Sequence, residues 1–254
     1  MQVLYFSFSP YPLQLNKFLN TNQTNGIKIN MNRLVITGVL SLAFLTGCAG
    51  KNNAHKVQAA SGSSLDVSST FVSTDMNNNH YPDIKLRVVS PVTTGAMVGL
   101  SVMTAVLGGG IGSATFDKNQ YKGTSVDTMP EPTSGYFSPR AEVKIKHWLD
   151  KNGNGYVWTQ PLYIAAAQWS LIYTDMSASN SNYDLTWRVV FYKRPEGGNI
   201  LSAYIISECS PTHVTAPLND WKANNYARVT LETQKMMDAC LLELENQLPR
   251  LLKK

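Results

Sequence analysis

The chain has 254 residues, 43% of them hydrophobic and 15% charged, which is enough apolar material for one domain with a full core and too much for a disordered chain. The formal charge is +5, but Lys17, Lys28 and Arg33 contribute three of it and precede Cys48, so +2 remains from Cys48 onward. With no run of Lys or Arg to follow a phosphate backbone, nucleic acid is not expected as a partner.

Residues 1–30 have no acidic side chain, no periodicity and an Asn-rich end, and read as lying upstream of the true start at Met31. From Met31 the order is Arg33, an apolar run Leu34–Leu45, small residues and then Cys48, the layout of a secretory signal over 31–47. The run is shorter than the roughly 20 apolar residues a transmembrane helix needs. Leu45-Thr46-Gly47-Cys48 resembles the lipobox of bacterial lipoproteins, cut before a diacylated cysteine. The resemblance implies a lipid anchor on Cys48 and, with Ala49 rather than Asp following it, attachment to the outer membrane on its periplasmic face. The lipid bilayer is then the first expected partner, because two or three acyl chains anchor stably where one does not.

Residues 48–70 are polar and rich in small side chains, and read as a flexible tether carrying a solvated His55. Residues 71–254 are expected to form a single periplasmic domain. Asp83–Ser90 alternates Ile84, Leu86 and Val88 with Lys85 and Arg87, the pattern of a half-buried strand. Segment 95–116 is uncharged and Gly-rich, and three readings compete for it: a buried helix or loop, a membrane-dipping segment, or a surface for self-association. After a Pro/Gly/Ser-rich loop, Ser138 and Pro139 open a helix that Gly153 closes, with Val143, Ile145, Trp148 and Leu149 keeping roughly one face.

Three strands of an antiparallel meander follow. Tyr163, Ala165, Ala167, Trp169, Leu171 and Tyr173 share one face of the first. Leu185, Trp187, Val189 and Phe191 do so in the second, opposite Thr186, Arg188 and Tyr192. The Pro195–Asn199 turn leads into the third, beginning at Ile200. A long C-terminal helix with Tyr226, Val229, Met237, Cys240, Leu244 and Leu248 on one stripe closes the chain, stopped by Pro249. Cys240 on this stripe could meet Cys209 at a strand end, and an oxidising periplasm favours a disulfide.

The expected fold class is therefore α+β: an antiparallel sheet of about four strands, a helix before the meander, and a long C-terminal helix packed on one face. In element order alone this resembles small envelope lipoprotein domains and the N-terminal domain of the Tol-Pal translocation protein, which carries no function over.

Two stretches have a calcium-loop flavour. Asp150, Asn152, Asn154 and Gly155 match the first half of an EF-hand loop, but Pro161 stands where a bidentate Glu is required. Asp75, Asn77, Asn79 and Asp83 resemble propeller-type calcium loops, with His80 in place of the turn glycine. In both a turn beside a helix or strand is the better account. G-x-S-x-G, H-E-x-x-H and S-x-x-K are absent, and His80, His147 and His213 are scattered singly. No catalytic residue, metal ligand or cofactor is expected. The expected function is a non-enzymatic envelope lipoprotein that binds or scaffolds a periplasmic protein partner. The alternatives are a membrane-active or self-assembling lipoprotein using 95–116, and an unrecognised hydrolase. Labelled palmitate is expected to enter the wild-type protein and not Cys48→Ser, with Cys48 as the mature N-terminus; an intact chain beginning at Met1 contradicts the lipobox reading.

Overall fold

The spine of the molecule is a pair of twelve-residue strands, β5 (Leu162–Tyr173) and β6 (Asn182–Lys193), hydrogen-bonded antiparallel along their length. Their sequences are dense in Trp, Tyr, Val and Ile, the side chains that fit a pleated, buried surface. The computed structural model describes residues 54–91, 122–175 and 181–254. The lipobox with Cys48, the signal segment 31–47 and segment 95–116 lie outside the described residues.

Shorter strands extend the spine in tandem. Along the outer edge of β5 lie β2 (Ser64–Phe71), parallel to its first half, and β3 (Lys85–Val89), parallel to its second half. β1 (Ala54–Gln58) pairs antiparallel with β2, and β4 (Thr124–Pro130) with β3. On the outer edge of β6, β7 (Ile205–Cys209) and β8 (Val214–Pro217) pair antiparallel in the same end-to-end way. Among the described residues the sheet is thus mixed and eight-stranded, not an antiparallel sheet of about four. The two parallel pairings join segments 95 (Val67 to Leu162) and 83 (Arg87 to Ser170) residues apart, which local alternation cannot reveal.

Residues 54–70 are not a tether. They form β1 and most of β2, and Val57, Ala59, Leu65 and Val67 enter the main core. Their polar look came from Ser63, Ser64 and Ser68, which are buried. Their polar groups are met by the segment after the next helix: Ser63 Oγ accepts from the Gly155 N–H at 2.9 Å, and the Ser64 backbone exchanges hydrogen bonds with Tyr156 and Trp158. His55 sits on β1 beside Glu142, 3.4 Å away. The third meander strand also starts later than expected, at Ile205, leaving Ile200 and Leu201 exposed in the preceding turn.

A β-bulge at Ala167 changes which side chains of β5 share a face. Ala166 opposes Val189 but Gln168 opposes Arg188, so one residue is extra and the parity reverses. Trp169, Leu171 and Tyr173 therefore join Leu162 and Ile164 in the main core, whereas Ala165 and Ala167 face the other side with Val72, Val190 and Tyr192. The single-face expectation for 163–173 fails for this reason. β6 has no such step, and Leu185, Trp187, Val189 and Phe191 all lie in the main core.

Two helices cover that main face among the described residues. α1 (Ser138–Asn152) buries Ala141, Ile145 and Leu149, a row at four-residue spacing, while Val143 is 67% exposed. It grows out of a π turn, Thr133–Phe137, so Ser138 has helical backbone and its hydroxyl donates to Ser69 Oγ instead of capping. At its end Gly153 N–H donates to Leu149 O, and a Cβ on Gly153 would collide with Ser63. α2 (Leu218–Leu251) is broken at Ala223–Tyr226, where Asn224, Asn225 and Tyr226 adopt positive φ. Beyond the break Val229, Met237, Cys240, Leu244 and Leu248 are fully buried on the expected stripe. Pro249 does not stop the helix at once: it removes the N–H that would have reached Glu245 O, and the helix runs only two residues further, to Leu251. Cys209 and Cys240 form a disulfide, Cα–Cα 5.7 Å, tying β7 to α2.

At the β5-start end of the sheet, Lys193 is wholly buried and pairs with Glu196. Glu196 also accepts from Thr159 N (3.0 Å) and Thr159 Oγ1 (2.9 Å), so the turn after β6 is tied to the segment leading into β5. Burial alone would raise this carboxyl, but the hydrogen bonds from Lys193 and Thr159 outweigh it and hold Glu196 below the usual range.

Leu244→Ala is expected to destabilise the domain by roughly 2 to 5 kcal/mol, the usual cost of truncating a fully packed leucine. Glu243 is half-buried and accepts only a neighbouring Gln247 amide, 2.8 Å away. Glu243→Ala should shift stability by less than about 0.5 kcal/mol. Thermal melts of the two variants check this, and equal small effects would make α2 peripheral to the sheet.

Candidate functional site

Among the described residues, the face of the sheet away from the helices carries a polar cleft of about 500 Å³ at the level of the bulge. Its floor is Ala167 and Gln168 of β5 and Arg188 of β6, all pointing away from the main core because they alternate with Ala166, Trp169 and Trp187. One wall is the excursion 72–84 that carries the chain from β2 to β3. The opposite wall is Glu208 of β7 with Ser210 just beyond it, and exposed Lys122 adds a cation to the lining.

The site exists because the strands beside the spine are interrupted there. β2 leaves β5 at Ala166 and β3 resumes at Ser170. Between them the excursion supplies the missing partners: Val72 N–H donates to Ala166 O (2.9 Å), Asp83 N–H to Ala167 O (3.3 Å), and Asp83 Oδ2 accepts from Trp169 N–H (2.9 Å). The same carboxylate takes two hydrogen bonds from Arg87, Nε at 2.6 Å and Nη2 at 3.2 Å. Asp83 is only 8% exposed, so these donors compensate a charge held out of water.

The excursion is stiffened from within. Asn77 is buried and its Nδ2 donates to His80 O at 2.9 Å, while Asn79 N–H donates to Thr74 O at 2.9 Å. Asn78 and Asn79 sit at φ 51° and 61°, a left-handed conformation that asparagine tolerates better than most residues. Asn77 Oδ1 in turn accepts from Arg188 Nη2, and Arg188 Nη1 donates to Glu208 Oε2 at 3.1 Å. His80 Nε2, also at the cleft, is buried without a hydrogen-bond partner among the described residues. The cleft is therefore a rigid arrangement of two guanidinium–carboxylate pairs with amide and imidazole groups between them, suited to hold a polar group by charge-assisted hydrogen bonds.

On the covered side of the sheet, Glu131 accepts from Thr133 N (2.8 Å), Thr133 Oγ1 (2.5 Å) and Trp187 Nε1 (3.2 Å). Burial pushes its carboxyl up, and the charge of Asp83 adds to the push against the lowering effect of those hydrogen bonds. Nearby, a small apolar cavity of about 170 Å³ lies among Met129, Pro132, Trp169 and Met237.

The residues singled out in the sequence fall mostly elsewhere. Asp150 pairs with Lys146 (2.8 Å) and accepts from Ala60 N–H (2.7 Å), and Asn152 donates to Trp148 O, so the EF-hand-like stretch is a helix end docked on the β1–β2 turn. Asn77 and Asp83 of the second calcium-like stretch are committed to Arg188 and Arg87. Among the described residues no three His, Cys, Asp or Glu converge as a metal site. His147 is exposed on α1, and His213 stands 3.9 Å from Asp184 at the surface. Arg188 and Gln168 carried a faint signal, a cation and an amide within two otherwise apolar strands.

Because the folded-state pKa of Glu131 is raised, its protonated form is favoured by folding. That contribution is fully present below the unfolded carboxylate value of about 4.3 and is lost as pH rises through the folded value. Relative to wild type, Glu131→Gln, which keeps an acceptor for Trp187 but whose Nε2 cannot accept from Thr133 N–H, should therefore gain stability as pH rises from 4 to 7. Melting curves across that range check the sign; an advantage that grows on acidification contradicts it.

No family model matches the chain, and searches of curated proteins and of solved structures likewise give no match.

Proposed function

We propose that this protein is a bacterial envelope lipoprotein, held by lipid on Cys48 at the periplasmic face of the outer membrane, whose folded domain is a non-enzymatic module that holds a periplasmic protein partner in the polar cleft. The observation that carries the reading is the cleft itself, a large concavity on the sheet face away from the helices whose charged groups are fixed by Asp83 and Asn77. Preformed concave sites with a few convergent polar groups are the usual place for recognition. The lipobox motif and the Cys209–Cys240 disulfide support an oxidising, extracytoplasmic address. Charges already bound in pairs suit holding a ligand better than transferring protons to it. Among the described residues no helix is long and apolar enough to cross a membrane.

A photoreactive amino acid in place of Ser210, at the cleft, is expected to give one discrete adduct in intact envelopes. The same group at Val143, exposed on the helix-covered side, should give none, and adding Arg188→Ala to the Ser210 probe should remove the adduct. Adducts that are indifferent to Arg188, or equal from both probe positions, overturn the reading.

A further inference from the structure

We infer that the cleft recognises a carboxylate of its partner, and that Glu208 occupies the carboxylate position on Arg188 until that ligand displaces it. This rests on the cleft being the binding site. The two arginines differ in how their charges are met. Arg87 is paired with a carboxylate that is itself 8% exposed and tied to the Trp169 amide, so that pair belongs to the framework. Arg188 is 15% exposed at its side chain, but its carboxylate partner Glu208 is 62% exposed, on a strand end at the cleft wall.

An exposed carboxylate on a sheltered guanidinium is an asymmetric pair. Glu208 regains its hydration on swinging away, so its release costs little, whereas Arg188 is held in place by Asn77 Oδ1 and cannot follow. Departure of Glu208 leaves Arg188 Nη1 free to donate into the cleft while Nη2 stays on Asn77 Oδ1, with Lys122 on the same lining and no change in the buried Asp83–Arg87 pair. The geometry that accepts Glu208 Oε2 at 3.1 Å accepts any carboxylate of similar reach. Tyr81, 87% exposed and also lining the cleft, offers an aromatic face for the carbon chain behind that carboxylate.

The test is titration of the detergent-solubilised full chain with succinate, read by NMR at the Arg188 Nε–Hε resonance, with inorganic phosphate as a second arm. Glu208→Gln removes the competing carboxylate and should tighten succinate binding roughly two- to fivefold, the range of an exposed ion pair. Glu232→Gln makes the same charge change on α2, across the sheet, and should leave affinity near wild type. Arg188→Gln should abolish binding, read by the remaining cleft resonances; should it fail to fold, Arg188→Lys, which keeps the charge without the fork, should weaken it. Succinate binding tightened by Glu208→Gln alone, and stronger than phosphate binding, supports the inference. Equal effects of the two Glu→Gln changes, binding indifferent to Arg188, preference for phosphate, or no succinate binding by any form each overturns it. The envelope crosslink from Ser210 does not depend on succinate, so an Arg188-dependent adduct alongside any of these results leaves the binding role of the cleft standing while removing its carboxylate specificity.

Discussion

Everything on the face away from the helices depends on the carboxylate of Asp83 standing in for a missing stretch of β-strand. Between β2 and β3 the edge of β5 has no neighbour, and a buried backbone N–H left unpaired there would cost about 1 to 3 kcal/mol. Asp83 accepts that N–H from Trp169 and is itself balanced by Arg87. One side chain thereby lets the chain leave the sheet for the 72–84 excursion and return without breaking the ladder. The bulge at Ala167 lies at the same level.

The cleft follows from this arrangement. The excursion needs room above the sheet, and the small side chains of Ala165 and Ala167 supply it with Val72 packed against them. Buried Asn77 then meets Arg188, whose position on β6 is set by alternation with Trp187 and Val189 in the main core. The aromatic core on the other face, with Phe137 between Trp187 and Phe191 at centroid distances of 5.5 and 5.9 Å, holds β6 in register from behind. Core packing from behind thus fixes Arg188, so that on binding only the exposed Glu208 carboxylate has to move.

Those parts of the molecule governed by short-range periodicity were legible in the sequence. The α2 stripe, the inward face of β6 and the span of α1 follow from spacing alone. The parts governed by long-range pairing were not. β1 and β2 are hidden because buried serines look like linker composition, and β2–β5 and β3–β5 are parallel contacts that leave no local mark. The face of β5 was misread because a bulge reverses parity without any glycine or proline to announce it. The site escaped notice for a related reason: Asp83 and Arg87 sit four apart on one stretch, whereas Asn77, Arg188 and Glu208 are brought together only by the sheet. The Asn-rich excursion was noticed, but its amides serve Arg188 and its own turn rather than a cation.

The claim that Asp83 substitutes for a strand is tested most directly by amide hydrogen exchange at Trp169, compared with Leu171 in the same strand. Asp83→Asn retains an acceptor and should leave the Trp169 amide nearly as protected as in the wild-type protein. Asp83→Ala removes it and should speed exchange at Trp169 at least tenfold more than at Leu171, whose own ladder is intact. Equal protection of the two amides in Asp83→Ala would contradict the account, because the excursion would then be held by something other than this carboxylate.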